Sequence, residues 1–481
     1  MSAVRLTVGW VAAAIAGRIV SGDAEQVVGN IATDSRSMQA GDLFVAIRGP
    51  RFDGHAFVEE AIARGAMGAI VSAGRDSTSR QPGDSTQLGA APRKAAPYTR
   101  IEVGDTVRAL QDLAHAVREA AGSKVIAITG SAGKTTTKET IAEFLSAKYR
   151  VVKNKGNLNN HIGLPLSLMQ LRDGPDVAVM ELGMNHAGEI STLVAIADPD
   201  VRVWTNVGDA HIGFFASSDA IADAKAEILE DAEPRDVLVC NADDARVMNR
   251  ATAFAGRTVT FGEAAGATVQ ALDIEDRGID GMRARVLTPA GGRMIETPLL
   301  GRGNLANVLA AIAVALELDV PLDTIVSRAA TLRPADRRGA VRRLGRGVTL
   351  VDDSYNSSPA ALRRALDVLA KDTHATRKVA VLGEMLELGD HADALHRESG
   401  RIAATSGLHL LFAVGGAPAR QLADAAVAAG MPQAHVAYVD ASEAAAPIVT
   451  RAIRPGDLVL VKGSRGTRTD LVADRIAEEF S

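Results

Sequence analysis

Apolar positions along this chain follow three successive patterns. Over the first hundred residues, short apolar runs alternate with helically spaced ones and are punctuated by glycine. Leu43 to Ile47 predicts a strand, Ala56 to Arg64 a helix and Gly68 to Ser72 a second strand. Gly74 to Pro97 then loses its periodicity and fills with Ser, Gly, Gln, Pro and Arg. That composition predicts a flexible surface insertion with no core to bury. From Asp105 to Ala121, Val107, Leu110, Leu113, Ala114 and Val117 recur on one face of a helix.

From Lys124 the runs Val125–Thr129, Val177–Glu181, Val201–Asn206 and Val237–Cys240 have strand length, with helical stretches between several of them. This is the pattern of a parallel sheet covered on both faces. Residues 257–297 read as short strands with turns, and Asn304 to Leu318 as an apolar helix. A third block begins near Arg333. There Val348–Asp352, Lys378–Leu382, His409–Val414, His435–Val439 and Asp457–Val461 each lead into a helix, enough repeats for a doubly wound domain. No fixed-period repeat is present, which excludes a solenoid or propeller.

The length of 481 residues fits two to four domains, and the patterning favours three. Hydrophobic residues at 47% and charged residues at 23% exclude a disordered chain. Aromatics at 3% leave the cores to Ala, Val, Leu and Ile. With 53 basic and 58 acidic residues the net charge is −5, so no global field draws nucleic acid or anionic lipid. The single cysteine, Cys240, excludes an internal disulfide and a Cys-based zinc cage. It ends an apolar run and reads as a packing residue. The first twenty residues are broken by Arg5, Gly9, Gly17 and Arg18 and do not resemble a signal peptide. No apolar run reaches the roughly 18 residues of a membrane span. A cytoplasmic protein with no membrane insertion and no nucleic-acid partner is expected.

The strongest chemical signal is Gly130-Ser131-Ala132-Gly133-Lys134-Thr135-Thr136, which follows a predicted strand and opens a predicted helix. Glycines let backbone N–H groups converge on phosphate oxygens, and the helix N-terminus adds its dipole at the same point. Lys134 would reach the terminal phosphates and Thr135 would hold Mg²⁺. A Gly/Ser turn that happens to contain lysine is the bland alternative, and the flanking strand and helix argue against it. The loop is the variant G-x-x-G-K-T, because Ile128 occupies the usual first glycine position.

Glu181 closes a strand and would sit at the ligand edge of a parallel sheet, where a carboxylate can bind Mg²⁺. His211 follows the next strand, where a solvated loop histidine is an equal alternative; His186 reads as a loop residue. Ile221, Lys225 and Ile228 share one helix face. Lys225 is therefore either a snorkelling rim residue or a lysine drawn inward toward anions or metal. Arginines 333, 337, 338, 342, 343 and 346 are either a solvated face or a grip on nucleotide phosphates at a domain boundary.

These residues together resemble the ATP-dependent Mur ligases of bacterial cell-wall synthesis. The resemblance rests on Gly41-Asp42-Leu43-Phe44-Val45-Ala46 with Arg51-Phe52-Asp53-Gly54-His55, Thr129 to Thr137, and Asn157-Leu158-Asn159-Asn160. It continues through Glu181 to Asn185, Ala210 to Phe215, Ala224-Lys225-Ala226-Glu227-Ile228 and Asn304-Leu305-Ala306-Asn307, and ends with Asp352 to Asn356 and Lys462-Gly463-Ser464-Arg465. It implies a smaller α/β N-terminal domain over 1–103 that binds the UDP end of the substrate and carries the insertion 74–97. A central P-loop parallel-sheet ATPase domain over 104–332 and a C-terminal Rossmann-like domain over 333–481 complete the α/β fold. Lys134, Glu181, His211 and Lys225 would form the catalytic set. Gly130, Ser131, Ala132, Gly133, Lys134, Thr135 and Thr136 would bind ATP phosphates. Thr135 and Glu181 would hold one Mg²⁺, and His211 would serve a second metal site. Lys225 matches the lysine that the family carbamylates. Asn304 matches an adenine contact, and Arg338 with Asp352 or Asp353, of which Asp353 is assigned, matches ATP contacts of the third domain. Asp34, Ser35 and Arg36 resemble the segment that meets the uridine diphosphate.

Two departures stand out: Arg337-Arg338 replaces the family's Gly-Arg, and Ser358 replaces an Asn before Pro. The third block lacks the Asp-Asn-Pro-Arg motif of the diaminopimelate-adding ligase. The resemblance therefore implies a monomeric ligase that joins D-alanyl-D-alanine to UDP-N-acetylmuramoyl-tripeptide through an acyl phosphate, using ATP and Mg²⁺. A folylpolyglutamate synthase, a P-loop kinase and a nucleotide-binding switch without turnover are the rival readings.

Overall fold

The runs expected as strands do form strands. The computed structural model describes residues 3–49, 52–74, 98–208 and 212–481. The expected insertion lies outside the described residues from 75 to 97, as do Arg51 and His211. The chain is mixed α/β and divides into two units. One comprises Met1–Ala127, Tyr149–Gly183 and Ser191–Asp200; the other comprises Ile128–Lys148, Met184–Ile190 and Val201–Ser481.

In the first unit a five-stranded sheet runs in the order Arg18–Ser21, Thr99–Val103, Gly68–Ser72, Leu43–Val45, Ile31–Ala32. All of its pairs are parallel except the first. Leu43, Phe44, Val45 and Ile70 are buried, which explains why Leu43–Val45 and Gly68–Ser72 read as apolar runs. Thr99–Val103 instead alternates, with Arg100 and Glu102 half-buried between buried Thr99, Ile101 and Val103, and was not expected. The helix Thr106–Ala121 starts where the Asp105 carboxylate accepts the N–H groups of Val107 and Arg108. It buries Ala109, Leu110, Leu113, Ala114 and Val117. The strands Val151–Lys153 and Val177–Glu181 pair in parallel.

In the second unit, Val201–Trp204, Val237–Asn241 and Arg257–Gly262 pair in parallel. Val269–Asp276, Met282–Thr288 and Gly291–Thr297 then fold as an antiparallel meander, which accounts for the short strands expected over 257–297. The helix Gly301–Glu317 buries Val308 through Ala315, so apolar residues occupy every side of it. Cys240 is buried with Sγ 3.9 Å from the Met248 sulfur, and burial pushes its thiol up to about 12.

A six-stranded sheet follows in the order Ala340–Arg343, Thr349–Asp353, Asp457–Lys462, Arg377–Gly383, Leu410–Val414, Val436–Val439. Its last five strands are parallel and correspond to the five expected repeats. The first strand is antiparallel and was not expected. It lies inside the arginine-rich run, and at a sheet edge Arg342 and Arg343 carry no apolar signal to betray it. Leu362, Leu366 and Leu369 of the helix after Thr349–Asp353 cover one face. Val472, Ala473 and Ile476 of the helix after Asp457–Lys462 cover the other. Neighbouring strands thus send their chains to opposite faces, which opens a crevice at their carboxyl ends. Asp353 and Lys462 stand at that edge.

Among the described residues no helix is long and apolar enough to cross a membrane.

Arg202, in the strand Val201–Trp204, is a fully buried guanidinium. Its Nη1 donates to Asp236 at 2.6 Å and its Nη2 to the carbonyl of Glu230 at 3.2 Å. Removing one partner of a buried pair strands the other charge in low dielectric, at a cost of about 3–5 kcal/mol. Asp236→Ala should therefore lower the urea midpoint of this unit sharply. A midpoint within error of the parent would show that Arg202 does not depend on its partner.

Candidate active site

The strand Lys124–Thr129 ends in a loop that bends at two glycines. Gly130 has φ +150°, and Gly133, the N-cap of the helix Lys134–Leu145, has φ +86°. A Cβ at Gly130 would collide with the Thr205 hydroxyl, and one at Gly133 with the Asn307 carboxamide. Only glycine suits either position. Lys134 curls back over the loop, its Nζ donating to the Gly130 carbonyl at 2.7 Å.

The far side of the loop is tied to Thr205–Gly208. Thr205 Oγ1 donates to the Ala132 carbonyl at 2.9 Å. The Ser131 N–H donates to the Asn206 carbonyl at 3.0 Å. Ser131 Oγ donates to the Gly208 carbonyl at 3.0 Å and accepts the Gly208 N–H at 2.8 Å. Residues 201–206 were expected to be one strand, but the strand stops at Trp204. Thr205 and Asn206 instead turn their side chains to the loop's main chain. Hydrophobic periodicity carries no mark of this; a polar Thr-Asn pair closing an apolar run is the only signal.

Lys225 sits in the helix Ser218–Ala226, whose start is capped by the Ser217 hydroxyl accepting the Ala220 N–H. It is 1% exposed, and Ile221 and Ile228 are fully buried beside it on the same face. The structure therefore overturns the snorkelling alternative: the amine is inside. Burial first, and the Lys134 charge second, hold its pKa well below the usual lysine value. A lowered pKa favours the unprotonated, nucleophilic form of an amine.

The helix Gly301–Glu317 brings Asn304 toward the loop through Asn307. Asn307 abuts Gly133 and donates from Nδ2 to Asn304 Oδ1 at 3.1 Å, and Asn304 Nδ2 donates to the Leu300 carbonyl at 2.9 Å. At the crevice edge, Asp353 accepts from Lys462 Nζ at 2.6 Å, and Lys462 also donates to the Asn356 carbonyl at 3.0 Å. Asp352 is buried and accepts from Ser354 Oγ at 2.6 Å, while desolvation raises its pKa. The Arg338 guanidinium lies 4.1 Å over the Tyr355 ring. Arg337 is instead spent on Asp474, at 2.9 Å and 3.2 Å. Of the other arginines in the run, Arg343 pairs with Asp280 and Arg346 lies over Phe480. The solvated-face reading fits those two, whereas the Arg338 guanidinium stacks on Tyr355, two residues beyond Asp353.

In the first unit, Glu181 is 5% exposed. Its Oε1 accepts from Asn159 Nδ2 at 3.0 Å, and its N–H donates to Asn154 Oδ1 at 3.0 Å. Asn154 also donates to the carbonyls of Leu158 and Glu181, so the two asparagines fix both the carboxylate and the turn that carries it. Asp34 caps the turn Ser35–Ser37 and grips Arg36 through two hydrogen bonds at 2.9 Å and 2.8 Å. Those bonds lower its carboxyl pKa to about 2. Ser35 is buried. His211 falls outside the described residues. His186 is an exposed loop residue with its ring 5.4 Å from that of Phe214. Among the described residues, no group of three or more His, Cys, Asp or Glu side chains is gathered for a metal.

Comparison with known proteins bears on all of these elements. Three family models match: Mur ligase family, catalytic domain over residues 27–118; Mur ligase middle domain over 128–315; and Mur ligase, glutamate ligase domain over 337–465. The UDP-N-acetylmuramoyl-tripeptide–D-alanyl-D-alanine ligase of Bacillus subtilis (strain 168) is 31% identical over 480 residues, covering 99% of this chain and 100% of that protein. A crystal structure of MurF from Acinetobacter baumannii superposes with a TM-score of 0.86 at 32% identity, covering 99% of this chain and 100% of that one. The MurF ligase of Thermotoga maritima, solved in complex with ADP, gives a TM-score of 0.78 at 28% identity over 94% of this chain and 97% of that one.

Two outcomes follow from the loop and the buried amine. Gly130→Ala should weaken ADP binding at least a hundredfold by calorimetry, because the loop must unbend to house the new methyl group. In CO₂-depleted buffer, Lys225→Met should raise the melting temperature, since it removes a desolvated amine and keeps the apolar stem. An unchanged or lower melting temperature would show that the amine is not a burden to the fold.

Proposed function

The chain belongs to the Mur ligase family, and we propose that it is an ATP-dependent ligase joining D-alanyl-D-alanine to UDP-N-acetylmuramoyl-tripeptide, with release of ADP and phosphate, in peptidoglycan precursor synthesis. The observation that carries this reading is a likeness running the whole length of both chains to a relative named for that reaction. We assign the UDP end of the substrate to residues 1–103, ATP to 104–332 and closure over the reacting groups to 333–481. A monomer working in the cytoplasm suits soluble substrates.

Charge dictates the division of labour. The peptide carboxylate and the γ-phosphate of ATP are both anions, so cations must stand between them before an acyl phosphate can form. Lys134, curled over the loop, is the cation we assign to the phosphates. Arg338 is the preferred third-domain cation because Arg337 is already neutralised by Asp474. Asn304 is assigned to the adenine, and Asp34, Ser35 and Arg36 to the diphosphate end of the other substrate.

Hydroxyl and carboxylate oxygens are the donors a hard divalent cation takes, and Thr135 and Glu181 supply one of each. They are our assigned ligands for Mg²⁺, with His211 serving a second ion. When bound, Mg²⁺ supplies charge neutralisation at the transferring phosphoryl group. The free amine of D-alanyl-D-alanine then attacks the acyl carbon: the C–N bond forms, the nitrogen gives up a proton to solvent, and phosphate leaves with the C–O bond electrons. Water would destroy the acyl phosphate, so the site has to exclude it during this step.

Lys225 is the residue we assign to carbamylation. A neutral lysine amine adds to CO₂, forming an N–C bond and releasing a proton, and the result is an anion of carboxylate shape. Burial, by lowering the pKa of this amine, favours the unprotonated form that reacts with CO₂.

Incubation with ATP, Mg²⁺, UDP-N-acetylmuramoyl-tripeptide and D-alanyl-D-alanine should release phosphate only when the dipeptide is present. Phosphate release indifferent to the dipeptide would overturn the assignment. Lys225→Ala should lose more than a hundredfold in kcat and recover in part with added short-chain carboxylic acids. Absence of any recovery would count against the carbamate.

A further inference from the structure

The segment Thr205–Gly208 is held from two sides. On one side it meets the phosphate loop. On the other, Asn241 Nδ2 donates to the Thr205 carbonyl at 2.9 Å, and the Val207 N–H donates to Asp244 Oδ2 at 2.7 Å. Asp244 is itself fixed as the N-cap of the helix Ala245–Ala251. The segment is therefore a stiff stay that reaches from a capped helix to the loop.

At its tip, Asn206 meets both main-chain polar atoms of one residue, Ala132. Its Oδ1 accepts the Ala132 N–H at 2.9 Å, and its Nδ2 donates to the Ala132 carbonyl at 2.9 Å. A carboxamide that satisfies the donor and the acceptor of a single residue fixes both the position and the rotation of that residue. With the Ser131 N–H donating to the Asn206 carbonyl, two successive residues of the loop are fastened to the stay.

We propose that Asn206 is a positioning residue for ATP: its carboxamide sets the Ala132 peptide, and thereby the bend of the phosphate loop, before the nucleotide arrives. The inference rests on the ligase reading for its substrate but not for its test, because nucleotide binding is measured without turnover. Setting the bend in advance removes the cost of ordering the loop on binding. Both side-chain bonds are lost together in Asn206→Ala, so the loop then has to be ordered as the nucleotide binds, at the expense of affinity.

The experiment is titration calorimetry with Mg-ADP on the full chain, parent and Asn206→Ala, alongside steady-state kinetics. We expect ADP affinity to fall and KM for ATP to rise at least tenfold, with KM for the UDP-tripeptide and for the dipeptide changing less than twofold. A merely structural role would instead lower kcat and shift every KM together. ADP affinity within twofold of the parent in a folded variant overturns the proposal. Should Asn206→Ala fail to fold, Asn206→Asp keeps the acceptor for the Ala132 N–H and loses the donor. It should then weaken ADP at least threefold, and parent-like affinity in that variant would equally overturn it. Failure of the ligase assay with ADP binding intact would sink the assigned reaction and leave this test standing.

Discussion

A phosphate loop has to bend sharply while leaving backbone donors aimed outward, and an unsupported bend of that kind would be a floppy turn. Here the support comes from the chain that leaves the strand Val201–Trp204. Thr205 and Asn206 fasten Ala132, and Ser131 exchanges hydrogen bonds with Gly208. The two glycines are needed because the supports come so close: the Thr205 hydroxyl lies against Gly130 and the Asn307 carboxamide against Gly133. The helix carrying Asn304 and the helix carrying Lys134 are thus fitted to one bend, and the geometry of the nucleotide site depends on it.

Electrostatics adds a second constraint. Lys225 is buried and Lys134 stands near enough to depress its pKa further. Two ammonium groups in one low-dielectric region are costly unless one gives up its proton or acquires a negative substituent. Carbamylation would turn that conflict into attraction for cations, so a residue awkward for the fold becomes useful to the chemistry. The third block meets the same problem differently: Asp353 is held by Lys462, Arg337 by Asp474, and Arg338 by the face of an aromatic ring. Polar groups at and near the carboxyl edge of the sheet are therefore oriented by neighbours from an adjacent strand, a helix and a loop.

Much of the fold was legible in the chain because buried parallel strands are unbroken apolar runs. Gly68–Ser72 and Val177–Glu181 coincide with the expected segments, and all five repeats of the third block are present. The edge strand Ala340–Arg343 was not legible, since an edge strand rich in arginine looks like a solvated face. The end of Val201–Trp204 was misplaced for a related reason: where a strand stops is decided by which partner its next residues find.

For the site, local order sufficed for the phosphate loop, because strand, glycines, lysine and helix are contiguous and each acts on its neighbours through the backbone. Spacing also put Lys225 on an apolar face. Whether its amine snorkelled to water or stayed inside could not follow from spacing, since that depends on what packs over the helix from elsewhere in the chain. Nor could spacing separate Arg337 from Arg338; Asp474, far along the chain, captures the first, while the second lies over Tyr355. Asn206 escaped notice altogether, for a carboxamide declares its role only when the peptide it holds is across from it. Residue order by itself determined which chemistry the chain carries and which segments form its elements. Tertiary structure alone decided which charges are spent, which are buried and what holds the loop in shape, because those depend on contacts between residues far apart in the chain.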